Sequence, residues 1–233
     1  MKPTPVPPAL AALQQIDGCS LANAIETFRV RLRNEGFTAG ATRCLFPQLP
    51  PMVGHAVTIK IRGSSPPPTG ATRYTEGTEW WDYVLSVPGP RILVVQDIST
   101  SRGAGAFIGE VHANILRALG CVGAVTDGAV RDLPAVERLG FPLFAARVSV
   151  SHAYEHIVGV GEPVEVDGLT IRSGDLLHGD AHGLQNVPAD LLAQLPGVAA
   201  SLAARERQLI ALAQTPGVSV AELRAAINRN RSA

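Results

Sequence analysis

The chain has 233 residues, 46% of them hydrophobic, and its 20 Lys and Arg balance its 20 Asp and Glu to a formal net charge of zero. That length suits one α/β domain with extensions and a sizeable core, and the lack of a basic bias argues against a direct nucleic-acid partner. The cysteines Cys19, Cys44 and Cys121 are dispersed and no apolar run reaches membrane-spanning length, so the expectation is a reduced cytoplasmic protein without disulfides, thiolate metal site or membrane partner.

Residues 1–12 carry four prolines and read as a loosely held, flexible arm; MKPTPVPPAL lacks the hydrophobic stretch of a signal peptide. From Leu13 to Asn34 the pattern is helical, with Ser20 as the cap before LANAIETFRVRL. Arg29, Arg31 and Arg33 read as a solvated face. Ala56–Ile61 is the strongest early strand, and Gly63–Thr78 is loop by composition. Glu79–Val87 is expected to be helical and carries Trp80 and Trp81, read as packing residues, with a pocket wall as the alternative. Pro88-Gly89-Pro90 breaks the chain before a buried strand, Arg91–Asp97. Gly103-x-Gly105 then invites a dinucleotide-loop reading, but the third glycine, Gly109, comes one residue too late for Gly-x-Gly-x-x-Gly. These glycines read as clearance at the mouth of the next helix.

The stretch Gly109–Asp132, GEVHANILRALGCVGAVTDGAVRD, carries the chemistry. Val111–Leu119 is apolar-periodic, with Ala113, Ile115, Leu116 and Leu119 on one side, and Gly120 stops it. Cys121–Thr126 is a short strand, and a loop, Asp127–Val130, delivers Arg131-Asp132 at its C-terminal end, where open α/β sheets place ligands. A helix starting at Gly109 leaves amides unpaired around Gly109, Glu110, Val111 and His112, and its dipole favours an anion. Arg131 can grip a carboxylate through two hydrogen bonds. Asp132, with Glu110 acting directly or through water, suits a hard divalent cation. The pair read as a solvated surface contact, worth ~0–1 kcal/mol, is the competing interpretation.

Leu133–Leu139 forms a short helix with Pro134 in its first turn, and Phe141–Ala146 the next strand. His152 and His156 stand four apart in an expected loop and read as hydrogen-bonded structural residues rather than ligands. Glu162–Ile171 alternates as a hairpin turning at Asp167-Gly168. His178, Asp180 and His182 would share one face of an extended segment and read as structure or pocket edge. Pro188 onward is helical, with a long helix over Ala199–Gln214 and a frayed tail from Asn228.

Three segments resemble the RraA-like proteins: Leu45–Arg62, the Gly109–Asp132 block and Ser173–Pro188 (SGDLLHGDAHGLQNVP). That family includes 4-hydroxy-4-methyl-2-oxoglutarate/4-carboxy-4-hydroxy-2-oxoadipate aldolases and the regulator of ribonuclease E activity. The resemblance implies a layered β/β/α (swivelling-domain) fold over residues 13–190, with a helical extension over 191–233, assembled as a homotrimer or dimer of trimers. It implies a metal-dependent lyase cleaving or decarboxylating a small 2-oxo acid through a pyruvate enolate. Gly109, Glu110, Val111 and His112 would form the amide cradle, Arg131 would bind the substrate carboxylate, and Asp132 would ligate Mg²⁺ or Mn²⁺. Glu206 would correspond to a glutamate that approaches the metal-bound water from a neighbouring subunit. The ribonuclease regulator lacks the acid after its arginine, so Asp132 favours the enzyme; the alternative is a non-catalytic regulator of a ribonuclease or other protein. His182 departs from the family, where an acid is frequent.

Overall fold

A computed structural model describes residues 6–68 and 78–232. Two helices, α1 (Pro8–Leu13) and α2 (Gly18–Thr27), replace the single helix expected over Leu13–Asn34. Asp17 separates them. Its backbone is extended, and its carboxylate accepts the Ser20 amide at 2.9 Å and the Ser20 hydroxyl at 2.7 Å. Asp17 is therefore the cap, and Ser20 is the third helical residue that it holds. α1 starts within the proline-rich segment, where a proline in the first turn forfeits no hydrogen bond, and Leu10 and Leu13 are buried. Arg31, expected on a solvated face, instead donates from Nη1 to the Asn186 carbonyl at 2.9 Å and ties the end of this layer to the sheet.

In chain order there follow β1 (Arg43–Cys44), β2 (Met52–Arg62), α3 (Glu79–Ser86), β3 (Arg91–Asp97), β4 (Ala106–Ile108), α4 (Glu110–Ala118), β5 (Cys121–Val130), α5 (Leu133–Arg138) and β6 (Leu143–Val148). β7 (His156–Val160), the hairpin β8 (Val164–Val166) with β9 (Leu169–Ile171), β10 (Leu176–Asp180) and β11 (Gly183–Asn186) complete the strands. The main sheet runs β1-β6-β5-β3-β2-β10-β11, with β4 on β5 and β7 on β2. Its centre, β2-β3-β5-β6, is parallel. The chain winds across these four strands in one direction, so α3, α4 and α5 all cover one face. Period-two alternation divides the strands accordingly. Val57, Ile59, Leu93 and Val95 meet Trp80, Val84, Ala113, Leu116 and Val136 of the helices. Ala56, Ile92, Val94 and Val125 meet Val164, Val166, Leu169 and Ile171 of the hairpin. This is the expected α/β, β/β/α layering. The hairpin turns at Asp167 (φ 51°) and Gly168 (φ 79°) as its sequence predicts.

Two further expectations need correction. Asp127–Val130 is not a loop but the continuation of β5, with a register shift after Thr126, because β4 and β6 flank it and pair its backbone. The C-terminal segment is two helices, α6 (Leu195–Ala213) and α7 (Val220–Ser232), so the tail expected to fray at Asn228 is helical to Ser232. α1, α2 and α6 share a third core with Val53 of β2, Leu176 of β10 and Val187. Gly63–Thr78 falls partly outside the described residues. All three cysteines are free, and among the described residues no helix is long and apolar enough to cross a membrane.

Candidate active site

Leu116 and Ala113 are fully buried and fix α4 against the sheet. Gly109 caps the helix, and Gly120, at φ 79°, takes the left-handed turn that ends it. β5 then returns antiparallel to the helix axis, so that Arg131 and Asp132 arrive at the start of α4. The Arg131 amide donates to the Ile108 carbonyl at 2.9 Å. Asp132 adopts a left-handed conformation (φ 57°, ψ 34°), rare for a non-glycine residue. That turn aims its carboxylate back at the helix, where Oδ2 accepts the Glu110 amide at 3.1 Å and lies 3.5 Å from Arg131 Nε. A Cβ on Gly109 would stand 2.5 Å from Asp132 Oδ2 and 3.0 Å from Arg131 Cγ. Glycine is required here for space, since its own φ of −140° suits any residue.

This corner forms part of the wall of a cavity of about 330 Å³. Gly109, Val111, His112, Arg131 and Asp132 line it, and α3 brings Trp80 and Trp81 to the same space. The Glu110 side chain is exposed at the helix start. Arg131 and Asp132 are half-exposed, and the terminal guanidinium nitrogens have no hydrogen bond among the described residues. The first amides of α4 have no acceptor within the helix, as at any helix start. His112 donates from Nδ1 to the Phe107 carbonyl at 2.7 Å and stacks on the Phe107 ring at 4.9 Å. Burial lowers its pKa, opposed by the Phe107 hydrogen bond and aided by nearby Arg131, which favours the neutral ring.

The segment after β6 contributes His152, Glu155, His156 and Ile157 to the lining. His152 and His156 are hydrogen-bonded, their Nδ1 atoms donating to the Ala153 and Tyr154 carbonyls at 2.9 and 2.7 Å. Gly103 and Gly105 do not open a path to ligand. Gly105 lies against the His152 carbonyl, so its missing Cβ admits this returning segment. Glu155 had no signal in the sequence. Its carboxyl oxygens are shielded and without a hydrogen-bond partner among the described residues. Burial, followed by the negative Asp97, pushes its pKa up to about 8. Beneath it Asp97 accepts the Ser99 and Gly103 amides at 2.8 and 2.6 Å. Asp127, raised to about 6 chiefly by burial, accepts the Asp97 amide at 2.7 Å.

His178, Asp180 and His182 lie elsewhere. His178 Nε2 donates to the Ile16 carbonyl at 2.9 Å, and Asp180 accepts the Gly18 amide at 2.7 Å and the His182 amide at 2.9 Å. Glu206 is exposed on α6 and does not line the cavity of its own chain. Among the described residues no three His, Cys, Asp or Glu side chains converge as a metal cage. The donor set, one half-exposed carboxylate with Glu110 beside it, fits a Mg²⁺ or Mn²⁺ that keeps water and substrate oxygens as most of its ligands. It does not fit a closed all-protein site.

A family model described as RraA-like, Aldolase/RraA, matches residues 19–185. The chain belongs to the RraA-like family. A Halalkalibacterium halodurans protein named "Putative 4-hydroxy-4-methyl-2-oxoglutarate aldolase" is 34% identical over 84 residues, 36% of this chain and 40% of that protein. The match thus spans well under two thirds of that relative's length. Among solved structures, an RraA-like fold is shared with an uncharacterized Pseudomonas syringae protein (TM-score 0.72, 23% identity, 97% of each chain). It is also shared with Streptomyces coelicolor RraAS2, described as an unusual member of the RNase ES inhibitor RraA protein family (TM-score 0.65, 20% identity, 89% of this chain and 96% of that one). The β/β/α layering is that of these RraA-like neighbours.

Proposed function

We propose that this RraA-like chain is a divalent-metal-dependent lyase acting on a small 2-oxo acid, by retro-aldol cleavage or oxaloacetate-type decarboxylation. One observation carries the reading: Asp132 takes an unfavourable left-handed conformation that sets a carboxylate beside the Arg131 guanidinium at a helix start, inside a cavity. Such strain persists where the surroundings enforce it and clusters at functional sites. A surface ion pair needs none of it.

Arg131, with the Val111 and His112 amides, would bind the substrate carboxylate and fix the 2-oxo group over Asp132. A bound Mg²⁺ or Mn²⁺ would supply Lewis-acid polarisation of the 2-oxo group. The Arg131 guanidinium and helix dipole that hold the carboxylate would also favour the negative charge that develops as the C3–C4 bond breaks. Water takes the substrate hydroxyl proton and returns one to C3, giving pyruvate. No lysine stands in the Gly109–Asp132 block or among the described lining residues, so an imine route has no amine there. In the proposed trimer or dimer of trimers, Glu206 of the partner subunit would approach the site.

The test is pyruvate release from oxaloacetate and 4-hydroxy-4-methyl-2-oxoglutarate, with Mg²⁺ and with EDTA, for wild type and Arg131→Ala. Release that needs both the metal and Arg131 is expected. Folded, metal-supplied protein that releases none from any 2-oxo acid would leave the regulator as the better reading, to be tested by ribonuclease inhibition.

A further inference from the structure

The relatives' aldolase substrates are dicarboxylates, yet among the described residues lining the cavity Arg131 is the sole Lys or Arg. Its partner anion is already the 2-oxo acid's own carboxylate. The rest of the wall is of another kind. A chain of rings runs from His112 to Phe107 (4.9 Å), to Trp80 (6.2 Å) and on to Trp81 (6.3 Å, edge-to-face), and Ile157 joins it. Trp80, Phe107 and Ile157 are at most 7% exposed, so these positions are fixed by the core behind them.

The polar groups along this wall add no second Lys or Arg among the described residues. His112 and His156 commit Nδ1–H to backbone carbonyls, each at 2.7 Å, and burial lowers the His112 pKa, which favours a neutral ring with only a lone pair at Nε2. Glu155, its pKa pushed up to about 8 chiefly by burial, and the buried, unpartnered Trp81 Nε1–H bring no positive charge. A second carboxylate buried here would find neutral groups and, among the described residues, no second Lys or Arg, a costly arrangement. An aromatic ring would find edge and face partners and lose little conformational entropy.

We infer that the cavity selects a 2-oxo acid with a single carboxylate and an apolar, aromatic distal group. This rests on the lyase reading for the role of Arg131 as the carboxylate grip. A retro-aldol substrate of that class is a 4-aryl-4-hydroxy-2-oxobutanoate. Its C3–C4 bond breaks, the hydroxyl proton passes to water, the aryl aldehyde leaves, and C3 gains a proton to give pyruvate without oxidant or reductant.

Calorimetric titration in Mg²⁺ with phenylpyruvate and with 2-oxoglutarate tests the selection apart from turnover. Phenylpyruvate should bind at least about tenfold more tightly, and Arg131→Ala should remove the binding of both. Trp81→Arg, which adds the missing cation, should reverse the preference, while Trp81→Phe keeps it. Equal or tighter 2-oxoglutarate binding, or a Trp81→Arg preference unchanged from wild type, overturns the inference. Pyruvate release from 4-hydroxy-2-oxo-4-phenylbutanoate and from 4-hydroxy-4-methyl-2-oxoglutarate separates the two claims. Selective phenylpyruvate binding with no pyruvate from either substrate sinks the lyase and leaves the pocket assignment. Turnover that favours the dicarboxylate sinks the pocket assignment and leaves the lyase.

Discussion

Asp132 holds two properties in one side chain, a left-handed backbone and a carboxylate, and substitutions can part them. Alanine at φ 57° adds backbone strain of about 1–2 kcal/mol to the loss of charge. Asparagine tolerates that conformation and can still accept the Glu110 amide. Asp132→Asn should therefore keep its melting temperature within a few degrees while pyruvate release falls about 100-fold or more, as expected when a charged ligand is neutralised. Gly109→Ala tests the packing of the same corner. Its Cβ would stand 2.5 Å from Asp132 Oδ2, so the carboxylate must move; circular dichroism should stay native while turnover drops. Glu155 gives a prediction in pH. Its folded pKa of about 8 lies above the usual 4.5, so the native state holds the proton more tightly than the unfolded chain. The stability this contributes is complete below about pH 4.5 and is lost as pH rises through about 8. Glu155→Gln, which mimics the protonated acid, should raise the melting temperature at pH 8.5 relative to wild type and leave it nearly unchanged at pH 4.5. An equal effect at both pH values would refute the assignment.

At the level of elements, the site stands on a short list of joints. β5 leads directly into Arg131 and Asp132 because β4 and β6 pair Ala129 and Val130, in the stretch that composition reads as loop. The N-terminal layer hangs on Asp180, 8% exposed, which accepts the Gly18 amide at 2.7 Å across a separation of 162 residues. Asp180→Ala strands that amide at the start of α2, at a cost of about 1–3 kcal/mol. Urea unfolding should register this loss, and hydrogen exchange should place the loosening in α2 and leave the amides of β3 protected. Any turnover should persist, since Asp180 lies outside the candidate cavity.

For the whole molecule, the proposed assembly sets the expected mass. Sedimentation equilibrium should give three or six times the 24.4 kDa protomer, and Glu206→Gln should then impair turnover although Glu206 is remote from its own chain's cavity. A fully active monomer would remove Glu206 from the site. The sequence by itself determined the local elements whose periodicity and punctuation agree: the buried strand Arg91–Asp97, the helix from Gly109 to the stop at Gly120, the Asp167-Gly168 hairpin, and the Gly-acid and Arg-Asp pairs that mark the family. It misread Asp17 and Ser20 because both are good caps, and only the backbone conformation chooses between them. The tertiary structure alone decided that the 151–157 segment closes the cavity, that Trp80 and Trp81 stand in its wall, and that Glu155 meets Asp97. Those contacts join residues tens of positions apart through the pairing of β7 with β2, and no local pattern encodes a partner that distant. The meeting of Arg131 and Asp132 with the start of α4 was legible because a helix start and a strand end carry it; the rest of the cavity wall was not, because it belongs to no single element.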